Sequence, residues 1–265
     1  MSFCQSGLIR YFTFESLVKA GALNAVVTRQ GGVSPSPWNS LNVGGTVGDD
    51  PDRVSENRSR LFHALDISTS SVFDVWQVHG VQVVCTNTAR PQDEIHQKAD
   101  AILTDNLEVT LFMRFADCVP IFLLDPVKKV VGLVHAGWQG TVKGVLSHTI
   151  AVMHSQYGSK NTDIIAGIGP SIGPDHYEVG ENVALLVKRA FGAECEKFLR
   201  HDQDVNGFMC IKFDLWQANR YLLKQAGLRT IELAGICTAC HLEDWYSHRA
   251  EKGSTGRFGA IISLR

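Results

Sequence analysis

Residues 114–144, RFADCVPIFLLDPVKKVVGLVHAGWQGTVKG, leave this chain few choices of fold. The two apolar runs at 119–124 and 130–134 are short, largely branched and free of charge, which is the pattern of strands buried on both faces. Asp125, Pro126, Lys128 and Lys129 between them read as a solvated turn, so the runs pair. The pairing sets Cys118 at the mouth of one strand and His135 at the end of the next. A thiol and an imidazole at facing strand ends make half a metal site or half a catalytic dyad.

The other half comes from VWQVHG, where His79 again stands between an apolar run and a glycine. His79, Cys118 and His135 together suit zinc, a borderline-soft ion that takes imidazole and thiolate and keeps a fourth position open with three protein ligands. Spacing alone leaves the question open. These residues do not form a finger-like pattern, and a single histidine at a strand end is more often a hydrogen-bonded core residue than a ligand.

Strand and helix patterns alternate along the rest of the chain. Residues 24–28 read as a strand that runs into a loop with Arg29, Gly31, Gly32 and Ser34, which is either a surface turn or a cradle for an anion or sugar. Asp50 caps and Pro51 starts a helix with Val54, Leu61 and Leu65 on one side. Residues 86–98 are polar and read as a surface loop, followed by strands in ADAILTD and VTLFMRF. From Gln139 the apolar residues Val142, Val145, Leu146, Ile150 and Met153 recur at helical steps, so one helix is expected there. Gly137 and Gly140 at its start would let backbone N–H groups approach an oxyanion. A strand at 163–168, a rigid GPSIGPDHYEVG loop, helices at Glu181–Phe191 and 213–227, and strands at 229–236 and 258–264 complete the pattern. Residues 192–207 read as an irregular excursion.

At 265 residues with 45% hydrophobic content, one core suffices, and the expectation is a single domain over 1–265. A net charge of −2 with no basic stripe points away from nucleic acid and membrane surfaces and toward a small-molecule partner. Neither a signal peptide nor a bilayer-length apolar run is evident. Seven cysteines without regular spacing place the chain in a reducing cytoplasm. The segment CTACH at 237–241 matches redox-pair and haem-attachment patterns, but lacks the context either needs, and reads most simply as a strand end with small thiols.

QVHG, ADAILTD, ADCVPIFLLDP, VGLVHAGWQGTVKGV, GIGPSIGPDHYEVG and WYSHRAEKGSTGR resemble the consecutive motifs of the YfiH/YlmD family, also called laccase-domain proteins, from Thr28 to the C-terminus. The resemblance implies an α+β fold: a layered sandwich of mixed buried sheets with helices outside, like that of toxin deamidases. It implies Zn2+ on His79, Cys118 and His135, with copper as an adventitious occupant. It implies phosphorolysis of adenosine, inosine, guanosine and methylthioadenosine, with adenosine deamination as a second activity, in a monomer or weak homodimer. Arg29, Ser34 and Asn42 become substrate-side residues, joined by Gly137 and Arg249, while Asp117, Cys118 and His135 become the catalytic set. Asp117 serves either as acid or base or as a loop cap. The rival readings are a zinc amidase that edits peptidoglycan precursors, a metal-free cysteine hydrolase and a multicopper oxidase. The last would need H-x-H pairs, and the sequence has none.

Overall fold

The computed structural model describes residues 2–91, 93–203 and 207–265. One six-stranded sheet runs in the order β1 (Ser2–Ser6), β2 (Ile9–Thr13), β3 (Ala22–Val27), β15 (Phe258–Leu264), β7 (Thr110–Phe115), β4 (Val72–Asp74). A second runs β14 (Thr230–Leu233), β10 (Ile165–Ile168), β8 (Val119–Asp125), β9 (Val130–Ala136), β6 (Ala101–Thr104), β5 (Val83–Cys85). A small third sheet joins β11 (Glu178–Val179), β13 (Met209–Phe213) and β12 (Leu199–Gln203). Six α-helices, α1 (Glu15–Lys19), α2 (Pro51–Ala64), α3 (Trp138–Lys143), α4 (Val145–Tyr157), α5 (Glu181–Phe191) and α6 (Leu215–Gln225), complete the described residues.

The two large sheets lie face to face, and strand alternation explains why. Along β8, Phe122 and Leu124 point into the core between the sheets, where they meet Phe14, Met113, Phe115 and Ile262. The alternate residues Val119, Ile121 and Leu123 face the other way, toward Leu146, Ile150 and Met153 of α4 and Leu223 of α6. Every residue of β8 and β9 is buried, as their unbroken apolar runs require. On the far side of the first sheet, Phe112 and Ile261 pack under Leu61 and Phe62 of α2. The result is a helix, sheet, sheet, helix layering, the expected α+β sandwich.

Three local expectations change. The helix expected from Gln139 is two helices, because Gly144 at φ 84° ends α3 and begins α4. Only glycine adopts this left-handed geometry without steric cost, so the apolar spacing continues across a break that periodicity does not register. The segment 192–207 is not wholly irregular: a 3-10 turn covers Gly192–Lys197 and β12 follows, while residues 204–206 lie outside the described residues. The N-terminal hairpin of β1 and β2, which turns at Gly7 (φ 57°), was not anticipated.

Candidate metal and substrate site

Register builds the site. In the β8–β9 ladder Val119 faces Ala136 and Pro120 faces His135, so one step further out Cys118 comes to lie against Gly137. A β-carbon on Gly137 would stand 2.9 Å from Cys118 Sγ and 3.2 Å from His79 Cδ2. Glycine is therefore what lets the strand end close onto the thiol. His79 arrives from the loop after β4 with φ at 58°, and Asp117 precedes the thiol with φ at 77°. Two non-glycine residues in the left-handed region on either side of one sulfur are a strain held by surrounding bonds.

Those bonds converge on Asp100, a fully buried residue at the start of the ADAILTD strand. Its carboxylate accepts the backbone N–H groups of Val78 (3.2 Å), His79 (2.9 Å) and Gly80 (2.6 Å), and His135 Nδ1 lies 2.8 Å from its Oδ1. Burial pushes this carboxyl up, but the His135 ring and the Gly80 and His79 N–H groups more than offset it and hold it below the usual range. Engaging Nδ1 leaves Nε2 of His135 for the thiol or for an ion. Burial raises the Cys118 thiol, yet the His135 and His79 rings bring it well below the ordinary thiol range; burial lowers His135, but Cys118 and Asp100 outweigh it and raise the imidazole.

His79 Nε2 lies 3.8 Å from Cys118 Sγ, and the ligand atoms of His79, Cys118 and His135 all fall within 4.8 Å of one another. Ligand bonds of about 2.3 Å to sulfur and about 2.0 Å to nitrogen at a tetrahedral angle separate the two atoms by about 3.5 Å. The donor set and its spread therefore fit a zinc-like cation. His79 is exposed, Cys118 half-buried and His135 buried, so the cluster opens on one side.

The expected substrate residues fare differently. Arg29 is buried and gives its guanidinium to Asn39 O, Leu242 O and Glu251 Oε1 while lying 4.3 Å over the Tyr246 ring. Ser34 donates to Asp49 and accepts from Asn57. Asn42 donates to Gly44 O and Asp49 and accepts from Gly44 and Arg257 N–H groups. All three turn inward: Arg29 and Asn42 tie the Gly-Gly loop to the C-terminal loop, and Ser34 ties it to Asp49 and to Asn57 of α2. Asp117 is likewise engaged: Oδ1 accepts from Thr238 Oγ1 at 2.7 Å and Oδ2 from the Arg249 N–H at 2.6 Å. Its two carboxylate oxygens thus tie the strand end to the Thr238 turn and to the Arg249 loop. The expected oxyanion site at the Gly137 and Gly140 N–H groups has only the six-residue α3 behind it, too short for a strong helix dipole.

Arg249 is exposed, lies 5.2 Å over the Tyr177 ring and donates to Glu178 O. Arg257, overlooked from the sequence although it closes the WYSHRAEKGSTGR motif, is a second cation here. Burial lowers its pKa, while the charges of Cys118, Asp117 and Glu251 act against that, and its guanidinium donates to Thr255 O and Gly256 O. Two clefts of about 500 and 590 Å³ lie beside Trp138 and Leu186 and beside Tyr11 and Asp66, and none of His79, Cys118 and His135 lines either.

Residues 23–265 match the family described as multi-copper polyphenol oxidoreductase laccase. The chain belongs to this laccase-domain family, the family of the YfiH and YlmD proteins. It is 38% identical over 243 residues to a purine nucleoside phosphorylase of Deinococcus radiodurans, covering 91% of this chain and 88% of that one. Purine nucleoside phosphorylase YlmD of Geobacillus stearothermophilus is 34% identical over 254 residues, covering 93% and 91%. The crystal structure of YlmD from that organism superposes with a TM-score of 0.88 at 33% identity over 99% of this chain and 98% of that one. Bacillus licheniformis YfiH gives 0.89 at 29% identity over 99% of both. No helix among the described residues is long and apolar enough to cross a membrane.

Proposed function

We propose that this chain is a zinc-dependent purine nucleoside phosphorylase with adenosine deamination as a second activity, formed as one domain over residues 1–265. The observation that carries the reading is the convergence of His79, Cys118 and His135 onto one point, with Asp100 fixing the orientation of both imidazole-bearing segments. The names of relatives at 34–38% identity give it the substrate class. When bound, zinc supplies a Lewis acid with an open position.

The chain's own residues do the rest. Arg257 and Arg249 supply positive charge for a phosphate beside the thiol-bearing strand end, and Asp117 holds the Arg249 backbone in place. In phosphorolysis a phosphate oxygen forms its bond to C1′ as the C1′–N9 bond breaks, and the purine leaves with the electron pair and takes up a proton. Fixed cations favour this because they hold the anion against a cation-like sugar without reorganising. The oxidase chemistry in the family description needs clustered histidine pairs, and the sequence has no H-x-H.

The test is purine release from inosine and adenosine by zinc-loaded protein with and without phosphate. Free base and ribose-1-phosphate that form only with phosphate are expected, together with inosine from adenosine in its absence. Base release indifferent to phosphate, or none from either nucleoside, overturns the reading.

A further inference from the structure

A second thiol–imidazole cluster lies on loops apart from the first. His176, in the GPSIGPDHYEVG loop, directs Nδ1 at both Cys240 Sγ (3.5 Å) and Cys237 Sγ (3.8 Å). All three ligand atoms fall within 4.8 Å of one another, and Cys237 is buried while Cys240 and His176 are exposed. These separations match the roughly 3.5 Å expected across a tetrahedral zinc between sulfur and nitrogen.

The surroundings are built for it. Cys237 and Cys240 bracket the Thr238–Ala239 turn, so two sulfurs three residues apart come to the same side. The Gly173 N–H donates to Cys237 Sγ at 3.1 Å, a bond that favours thiolate over thiol. A β-carbon on Gly173 would meet Cys237 Cβ at 3.0 Å, Cys237 Sγ at 3.1 Å and Trp216 Cη2 at 3.1 Å, so the close approach depends on glycine. The turn is pinned at its base, where Ser171 bridges Cys237 and the Thr238 N–H donates to Ser171 O.

We propose that Cys237, Cys240 and His176 form a second zinc site, with two thiolates, one imidazole and a fourth position open to solvent. Two thiolates and an imidazole make a softer donor set than that of the first cluster, and thiolates select thiophilic cations over magnesium or calcium. The site also reaches the first cluster through the protein. Thr238, between the two cysteines, donates to Asp117, which precedes Cys118 and holds the Arg249 N–H. An ion on the turn would therefore hold one side of the phosphate-binding region still. The proposal concerns metal stoichiometry and stands whether or not the chain cleaves nucleosides.

The experiment is zinc titration of metal-stripped, fully reduced, full-length protein, with cysteine alkylation read by mass spectrometry. Wild type is expected to bind two equivalents, and the Cys240→Ser and His79→Ala variants one each. Zinc should slow alkylation of Cys240 in wild type by roughly tenfold or more, because a metal-bound thiolate is a poor nucleophile. The His79→Ala variant should keep that protection. Circular dichroism checks that Cys240→Ser folds, as expected for an exposed residue. One equivalent in wild type with no loss in Cys240→Ser overturns this second site and leaves the first intact. Two equivalents in His79→Ala overturn the first and leave the second. A Cys237–Cys240 disulfide that forms in air despite saturating zinc overturns the proposal in favour of a redox pair.

Discussion

The two thiol–imidazole clusters reach similar donor geometries by opposite routes. His79, Cys118 and His135 come from three segments far apart in sequence, and strand register with the buried Asp100 carboxylate brings them together. Cys237 and Cys240 come from one turn, with only His176 supplied from a distance. The first cluster is therefore tied to the core and the second to loop anchors. A fault in the core frame should damage the first severely, whereas a fault in the second should stay local.

The sharpest way to break the contrast is Asp100→Ala. It leaves three N–H groups and the His135 ring without their shared acceptor, and removing one partner from a buried charged network costs about 3–5 kcal/mol. Urea unfolding should show that loss, and zinc affinity of the first cluster should fall about 10- to 100-fold. Alkylation protection at Cys240 should persist; its loss would mean that the two clusters share one frame.

Gly137→Ala and Gly173→Ala form a matched pair. The first places a methyl 2.9 Å from Cys118 Sγ, the second 3.0 Å from Cys237 Cβ. Overpacking of this kind costs about 1–3 kcal/mol, and the strand-end site should suffer more because its backbone is held in the ladder. Equal losses of stability in thermal unfolding would remove the distinction between a rigid and a yielding cluster. Thr238→Val cuts the one hydrogen bond that joins the turn to Asp117 and should cost about 1–2 kcal/mol. Zinc on the second cluster should tighten phosphate binding in wild type and not in this variant, which calorimetry would read.

The smallest effect is with acid. Asp100 is held below its ordinary pKa in the folded protein, so its contribution is present above the unfolded value of about 3.9 and is lost as pH falls below that toward the folded value. In metal-stripped protein, an Asp100→Asn variant should show a shallower loss of stability below about pH 4 than wild type. Parallel slopes would show that the carboxylate is not what the acid attacks.

Particular elements show what kind of information was local. β8, β9, α5, α6 and β15 lie close to where their apolar runs and caps place them, because burial on one or both faces writes a period into neighbouring residues. The capped start of α2 at Asp50 and Pro51 was equally visible. The inward bonds of Arg29, Ser34 and Asn42 were not legible, because a Gly-Gly loop flanked by polar residues looks the same whether those side chains face a ligand or Asp49, Asn57 and Glu251. The hub role of Asp100 was hidden for the same reason.

From its amino acids alone, the chain determined the buried hairpin, the layered α+β architecture, and the candidates His79, Cys118 and His135, since hydrophobic period and motif are carried by adjacent residues. Tertiary structure alone decided that the three donor atoms converge, that Asp100 orients them, that Asp117 bonds Thr238 and the Arg249 N–H, and that His176 meets the CTAC turn. The physical reason is that a polar side chain's role depends on which distant group supplies its hydrogen-bond partner, and that is settled only when strands from remote parts of the chain lock into register.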